Sequence, residues 1–337
     1  MSMPMRLHKH KRRQLTQLQM FFPKPKTLVN PISPKQTPKA LYVKKPVPKE
    51  ERHSISEIVS PSSKWEKVAV GSGFMEGINF DRNGNIWMVS PPTGEIIKVE
   101  DDKVSIIEKY AGLLPVGAKF HKDGRLFITD VTGKLYAYDP TTRSRTTIVD
   151  SYNGSPLNGL NDLVFDQDGG LYFTEPMGSS ATKPTGRVFY LPPNSKEPVL
   201  FQEGIAYPNA IAIWANGQRV YISEFATNRI VSVPSKNAKD TRETPFVFGQ
   251  FEGGIGPDGL AVDTEGNLYV AHFQAGEIVV LDASGFKYGT IRLPKDEGTF
   301  TTNLTFHNGY LYVTESSKNE VWRIEVKKEG LQPYGLQ

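Results

Sequence analysis

The chain has 337 residues and no cysteine, which excludes disulfides, thiolate nucleophiles, zinc ribbons and iron–sulfur clusters. No apolar run approaches the roughly 20 residues needed to cross a bilayer as a helix. The net charge of +4 is unevenly spread: residues 1–50 hold 12 Lys/Arg against one acid, leaving 28 bases and 35 acids for the rest.

Residues 1–60 read as a basic, proline-rich tail. Prolines recur through PKPKTLVNPISPKQTPKALYVKKPVPKEE; they deny the backbone regular hydrogen-bond ladders and favour an extended, solvated, disordered chain. The opening MSMPMRLHKHKRRQ lacks the apolar core of a secretory leader. The expected compartment is therefore cytoplasmic, with transit-type targeting by the tail left open and the tail's partner unknown. An acidic body argues against nucleic acid as a partner of the remainder.

Residues 61–337 repeat one hairpin: a polar residue, a short apolar strand, an Asp/Asn–Gly turn, and a second apolar strand. In chain order the copies are EGINFDRNGNIWMVS from Glu76, VGAKFHKDGRLFITD from Val116, NDLVFDQDGGLYFTE from Asn161, NAIAIWANGQRVYISE from Asn209, DGLAVDTEGNLYVAH from Asp258 and TNLTFHNGYLYVTE from Thr302. Their starts are 40, 45, 48, 49 and 44 residues apart, the length of a propeller blade. Each copy leaves room for two further strands, as in GEIIKVE with KVSIIEKY. The pattern predicts an all-β fold: a six-bladed β-propeller of four-stranded antiparallel blades.

The first strand of each blade lines the central channel. The six starting residues, Glu76, Val116, Asn161, Asn209, Asp258 and Thr302, are therefore expected near one point. Two carboxylates and two amides without Lys or Arg suit a divalent cation held by oxygen, because buried like charges are costly without a counter-ion. The alternative from spacing alone is that these residues cap backbone groups.

At these residues the sequence resembles the senescence marker protein/gluconolactonase/luciferin-regenerating enzyme family. LNGLNDLVFDQDGGLYFTEP, YPNAIAI and GPDGLAVDTEGNLYVAH carry the likeness, with FMEGINFDRNGNIW and TNLTF in support, over residues 64–326. The resemblance implies a lactonase with Glu76, Asn209 and Asp258 as metal ligands and Asn161 beside metal and substrate. It implies a metal-polarised lactone carbonyl, Asp258 assisting attack by water, and Asn161 holding the developing charge. Calcium is the expected ion; the donors also admit magnesium, manganese or zinc.

Two departures from the family pattern bear on substrate. Gly159 stands where sugar-lactone members tend to carry arginine, and Ile78 replaces the usual proline after the EG pair. A bulkier, less polar lactone or ester is expected, with Phe74, Met75, Met177 and Phe225 as candidate apolar walls and His272 as a candidate substrate contact. Asp130, Glu175, Glu224 and Glu315 end second strands and are expected to cap turn amides. Ser90 and Ser223 have no evident triad partners. The competing readings are a non-catalytic propeller binding module and a related propeller enzyme of strictosidine-synthase-like or esterase chemistry.

Overall fold

A computed structural model describes residues 53–240 and 244–337. It contains six four-stranded antiparallel sheets arranged as the blades of a propeller. The first strands are Glu76–Phe80, Pro115–Phe120, Leu163–Phe165, Pro208–Ile213, Gly256–Val262 and Thr301–His307. Each neighbours the next around the ring, and the sixth returns to the first. The second strands, Ile86–Ser90, Leu126–Asp130, Leu171–Glu175, Arg219–Glu224, Leu268–Phe273 and Tyr310–Glu315, pair back against them.

The hairpin turns follow from their aspartates. In blades one, three and five, Asp81, Asp166 and Asp263 each accept backbone N–H groups two and four residues on, at 2.7–3.0 Å. The side chain thereby substitutes for a backbone turn partner, which is why this residue type recurs at the turn. Apolar side chains from facing blades fill the space between sheets. One such layer joins Tyr269, Ala271, Ile278 and Val280 of blade five to Leu304, Leu311, Val313 and Ile324 of blade six.

Blade six departs from the repeat. Only one further strand, Glu320–Glu325, follows its hairpin, so the outer strand comes from the other end of the propeller: Glu66–Val70 pairs with it, Glu66 opposite Arg323 and Val70 opposite Glu320. This closes the ring by hydrogen bonds between distant parts of the chain.

The packed unit also begins before residue 61. Ser54 caps a short 3-10 turn at Ile55–Glu57, Ile58 is fully buried in the blade five–six layer, and the Tyr288 hydroxyl donates to Glu57 at 2.9 Å. Residues 1–52, on which the rest of the tail reading falls, lie outside the described residues. No described helix is long and apolar enough to cross a membrane.

Past Glu325 the chain crosses the lower mouth of the channel. Leu331 N–H donates to the Val262 carbonyl at 2.9 Å, and the Tyr334 ring packs beside His121 and Phe165 with centroids 5.1 and 5.5 Å away. This strap and the ends of the first strands enclose a cavity of about 140 Å³, lined by Phe80, Phe120, Phe165, Leu260 and Phe306 among others. The acids predicted from the repeat lie at the opposite ends of those strands.

Candidate active site and metal centre

The local backbone at the upper mouth is not a simple alternating strand. In blades one, two, four, five and six the pairing of first with second strand slips near its start, as between Glu76 and Asn79 or Pro257 and Leu260. A bulge of this kind re-aims side chains. It shifts which residue of each strand reaches the centre.

Four side chains come together. Asp258 is buried and accepts a hydrogen bond from the Asn209 side chain. Glu76 is also buried and accepts from Asn303 Nδ2 at 3.3 Å. The fourth is Asp162, which sequence reasoning passed over in favour of its neighbour Asn161. Asp162 accepts the Ile211 N–H at 3.3 Å through Oδ2, while its buried Oδ1 has no partner.

These acids feel one another. Burial, followed by the charges of Glu76 and Asp162, raises the Asp258 pKa well above the ordinary range. Burial likewise pushes Glu76 up to about 8, against the opposing hydrogen bond from Asn303, with the Asp162 charge adding to the rise. Burial raises Asp162 too, and Lys119 opposes it. Lys119, half-buried and also lining the lower cavity, is the cation that acts on both Glu76 and Asp162.

Three carboxylates against one ammonium leave an excess of two negative charges if all are ionised. A divalent cation would balance it, and the unpartnered, buried Asp162 oxygen is a further hard donor. The residues therefore fit an oxygen-liganded ion. Among the described residues no three Asp, Glu or His side chains form a metal-binding group by themselves, so the set needs amide oxygens. Asn209 supplies one. Asn161, half-buried with no side-chain hydrogen bond to the described residues, leaves its amide available.

The backbone under these residues is held by the preceding blade. Thr129 donates to the Asn161 carbonyl, Thr174 Oγ1 to the Asn209 carbonyl at 2.7 Å, and Ser223 Oγ to the Asp258 carbonyl at 2.7 Å. For Glu76 the carbonyl of the residue before it, Met75, accepts from Ser316 Oγ and Thr302 Oγ1 at 2.7 and 2.8 Å. Thr302, a predicted ring residue, is thus turned to backbone support, and Asn303 takes the place beside Glu76. The corresponding second-strand positions in blades one and five are Val89 and Ala271, and the blades that follow them carry Val116 and Thr302 at the ring. The Thr/Ser–Asp/Glu pairs in ITD, FTE and ISE mark the hydroxyls of blades two to four in the sequence; in VTE, Thr314 instead bonds within its own blade.

The acids of those pairs cap loops. Asp130, Glu175, Glu224 and Glu315 accept N–H groups from Leu114, Asn158, Ala206 and Phe300 at 2.6–2.8 Å. Each fixes the loop leading into its own first strand. At the equivalent point of blade five stands His272, only 1% exposed, its Nε2 3.0 Å from Asn228 Oδ1 and its Nδ1 3.7 Å from Glu277. The fold seals His272 into the blade and does not bring it to the carboxylate cluster.

Met75 is fully buried in the blade-one core. Phe74, Met177 and Phe225 are half-buried in upper-mouth loops. Met177 packs directly on Gly159: a Cβ there would lie 2.4 Å from Met177 Cγ and 2.6 Å from the Val131 carbonyl oxygen, and Gly159 has φ +97°. An arginine cannot stand at this position without moving the loop. Sequence reasoning missed Tyr207, Phe273 and Phe300, which share the same rim.

Residues 74–317 match the model of the SMP-30/Gluconolactonase/LRE-like region. Lactonase drp35 of Staphylococcus haemolyticus (strain JCSC1435) is 30% identical over 297 residues, covering 81% of this chain and 90% of that protein. Lactonase drp35 of Staphylococcus aureus (strain MRSA252) is 31% identical over 247 residues, covering 69% and 74%. The fold is shared with a putative gluconolactonase (TM-score 0.70, 22% identity, covering 84% of this chain and 98% of that one). It is also shared with a calcium-binding protein, regucalcin, from Agrobacterium tumefaciens str. C58 (TM-score 0.68, 20% identity, covering 81% and 97%).

Proposed function

The chain belongs to the SMP-30/gluconolactonase/LRE-like family, and from that premise we propose that it is a metal-dependent lactonase. The observation that carries the reading is the convergence of buried Glu76, Asp162 and Asp258 with Asn209 at one mouth of the channel. Glu76, Asn209 and Asp258 would hold a divalent ion, calcium before magnesium, manganese or zinc, with Asn161 alongside. When bound, such an ion supplies positive charge for a lactone carbonyl oxygen as it becomes anionic.

The chain's own residues account for the remaining chemistry. Asp258, once ionised, takes a proton from water as the water oxygen bonds to the carbonyl carbon. The Asn161 amide donates to the oxyanion of the tetrahedral adduct. Collapse of that adduct breaks the ring C–O bond, and the proton held by Asp258 passes to the leaving alkoxide, giving an open hydroxy acid. The Thr174 and Ser223 bridges keep Asn209 and Asp258 from relaxing apart during these steps.

The test is hydrolysis of a panel of five- and six-membered lactones after EDTA treatment, then with each divalent ion restored. Turnover lost on chelation, regained with metal and abolished in Asp258→Asn is the expected result. Folded protein that opens no lactone with any ion would overturn the proposal.

A further inference from the structure

The upper rim carries an aromatic row that the chemistry above does not use. Tyr207 lies in the loop entering blade four, Phe225 follows the second strand of that blade, Phe273 ends the second strand of blade five, and Phe300 precedes the first strand of blade six. Their rings are contiguous, with centroids 5.7 Å apart for Tyr207–Phe225, 6.1 Å for Phe225–Phe273 and 4.7 Å for Phe273–Phe300. All four are only half-buried. They leave an apolar surface of mutually tilted rings on one side of the channel mouth.

The row runs beside the reacting groups. Tyr207 is two residues from Asn209, and its phenol lies close enough to Asp258 to sense that charge. Phe225 covers the start of the strand bearing Asp258: a Cβ at Gly256 would meet Phe225 Cδ2 at 2.9 Å and the Phe225 carbonyl oxygen at 2.3 Å. Glycine at 256 is what admits the ring there.

The backbone of Tyr207 is itself unusual. Its φ is +59°, a strained conformation that bulky residues rarely adopt. Its N–H donates to Ser179 Oγ at 3.1 Å and its carbonyl accepts from Phe225 N–H at 3.1 Å. The phenol oxygen makes no hydrogen bond to the described residues. Asparagine or glycine would occupy this backbone with less strain, so a tyrosine held here against its preference points to use of the ring.

In the adjacent loop of blade three, whose Ser179 holds the Tyr207 N–H, Met177 packs on Gly159 and fills the space a longer side chain would need there. This side of the mouth thus presents a thioether and four contiguous, mutually tilted rings. We infer that Tyr207, extended by Phe225, Phe273 and Phe300, is the substrate-selecting surface of this protein, and that it favours lactones bearing a flat apolar substituent over polyhydroxylated ones. This inference rests on the lactonase reading.

The experiment compares kcat/KM for a benzo-fused six-membered lactone, plain δ-valerolactone and an aldono-1,5-lactone, using metal-loaded wild type, Tyr207→Asn and Phe273→Leu. Asparagine tolerates positive φ, so the first variant removes the ring without new backbone strain; the second trims the row at a distance from Asn209. Wild type should prefer the benzo-fused substrate. Tyr207→Asn should lower that substrate's kcat/KM about 10- to 30-fold, the scale on which an apolar pocket discriminates, and δ-valerolactone's less than 3-fold; Phe273→Leu should move the ratio in the same direction.

A preference for the aldonolactone, or equal losses on the benzo-fused and plain lactones, would overturn the inference while leaving lactone hydrolysis intact. Absence of turnover with all three would remove the lactonase reading and this inference together.

Discussion

Ion-free protein should lose stability as pH rises from 5 to 8, and the buried glutamate at the channel mouth is one reason, acting in the same sense as Asp258 and Asp162, which burial also raises. Glu76 has its pKa raised from 4.5 to about 8, chiefly by burial. Between those values the folded state binds more protons than the unfolded state, so the slope of stability against pH is negative. The contribution is fully present below about pH 4.5 and is lost as pH rises through about 8. Moving from 4.5 to about 8 corresponds to on the order of 5 kcal/mol, and at roughly 2 °C per kcal/mol for a domain of this size the melting temperature falls by about 10 °C.

His272 and His307 act in the opposite sense. Burial lowers both from 6.5, so the unfolded chain binds the extra protons and stability rises with pH below about 6.5. Thermal melts in EDTA at half-unit pH steps, for wild type and Glu76→Gln, separate the two effects. The variant should decline less steeply than wild type between pH 6.5 and 8, the remainder coming from Asp258 and Asp162, and saturating calcium should abolish the decline in wild type. A wild-type curve flat over that range, or one parallel to Glu76→Gln, would refute the argument that uncompensated carboxylates dominate this mouth.

Three further outcomes follow from the geometry. Ser223→Ala frees the Asp258 carbonyl and should cost about 1 kcal/mol in urea melts, with calcium affinity falling several-fold by titration calorimetry; Ser223→Thr should restore both. Gly159→Arg should destabilise by more than 2 kcal/mol, since it combines positive φ with collision against Met177 and the Val131 carbonyl, and should gain no aldonolactone activity. Tyr334→Ala, in the strap at the other end of the channel, should cost about 3 kcal/mol of stability while kcat per folded molecule stays within 2-fold; a large kcat change would mean the two ends of the channel are coupled.

The fold was legible because a propeller writes itself as a repeat. Each blade must bury two faces against its neighbours, so the alternating strands and their Asp–Gly turns recur from Glu76 to Thr302, and six copies require six blades. The same periodicity placed Glu76, Asn209 and Asp258 at equivalent strand starts, and the structure brings these three to one mouth. Thr129, Thr174 and Ser223 were equally visible in ITD, FTE and ISE. Their role was not, because a hydroxyl that bonds to the next blade's backbone cannot be read from its own strand.

Tertiary structure decided the rest. The bulge at the start of blade six turned Thr302 to backbone support and set Asn303 against Glu76, and burial beside Glu76 and Asp258 added Asp162 of blade three to the acids; a one-residue change of register reverses the face a side chain occupies, and composition does not encode where a slip falls. Burial of His272 depended on Asn228, from the loop after blade four's second strand, and on Glu277, from the neighbouring strand. The aromatic row draws on two loops and two strand ends separated by nearly a hundred residues, so no local window contains it. The sequence by itself determined the repeat and the chemistry of its oxygen donors, since both follow from local pattern and residue type. Which donors share a charge environment, and which surface flanks them, were fixed only when ring closure brought strands from all six blades around one axis.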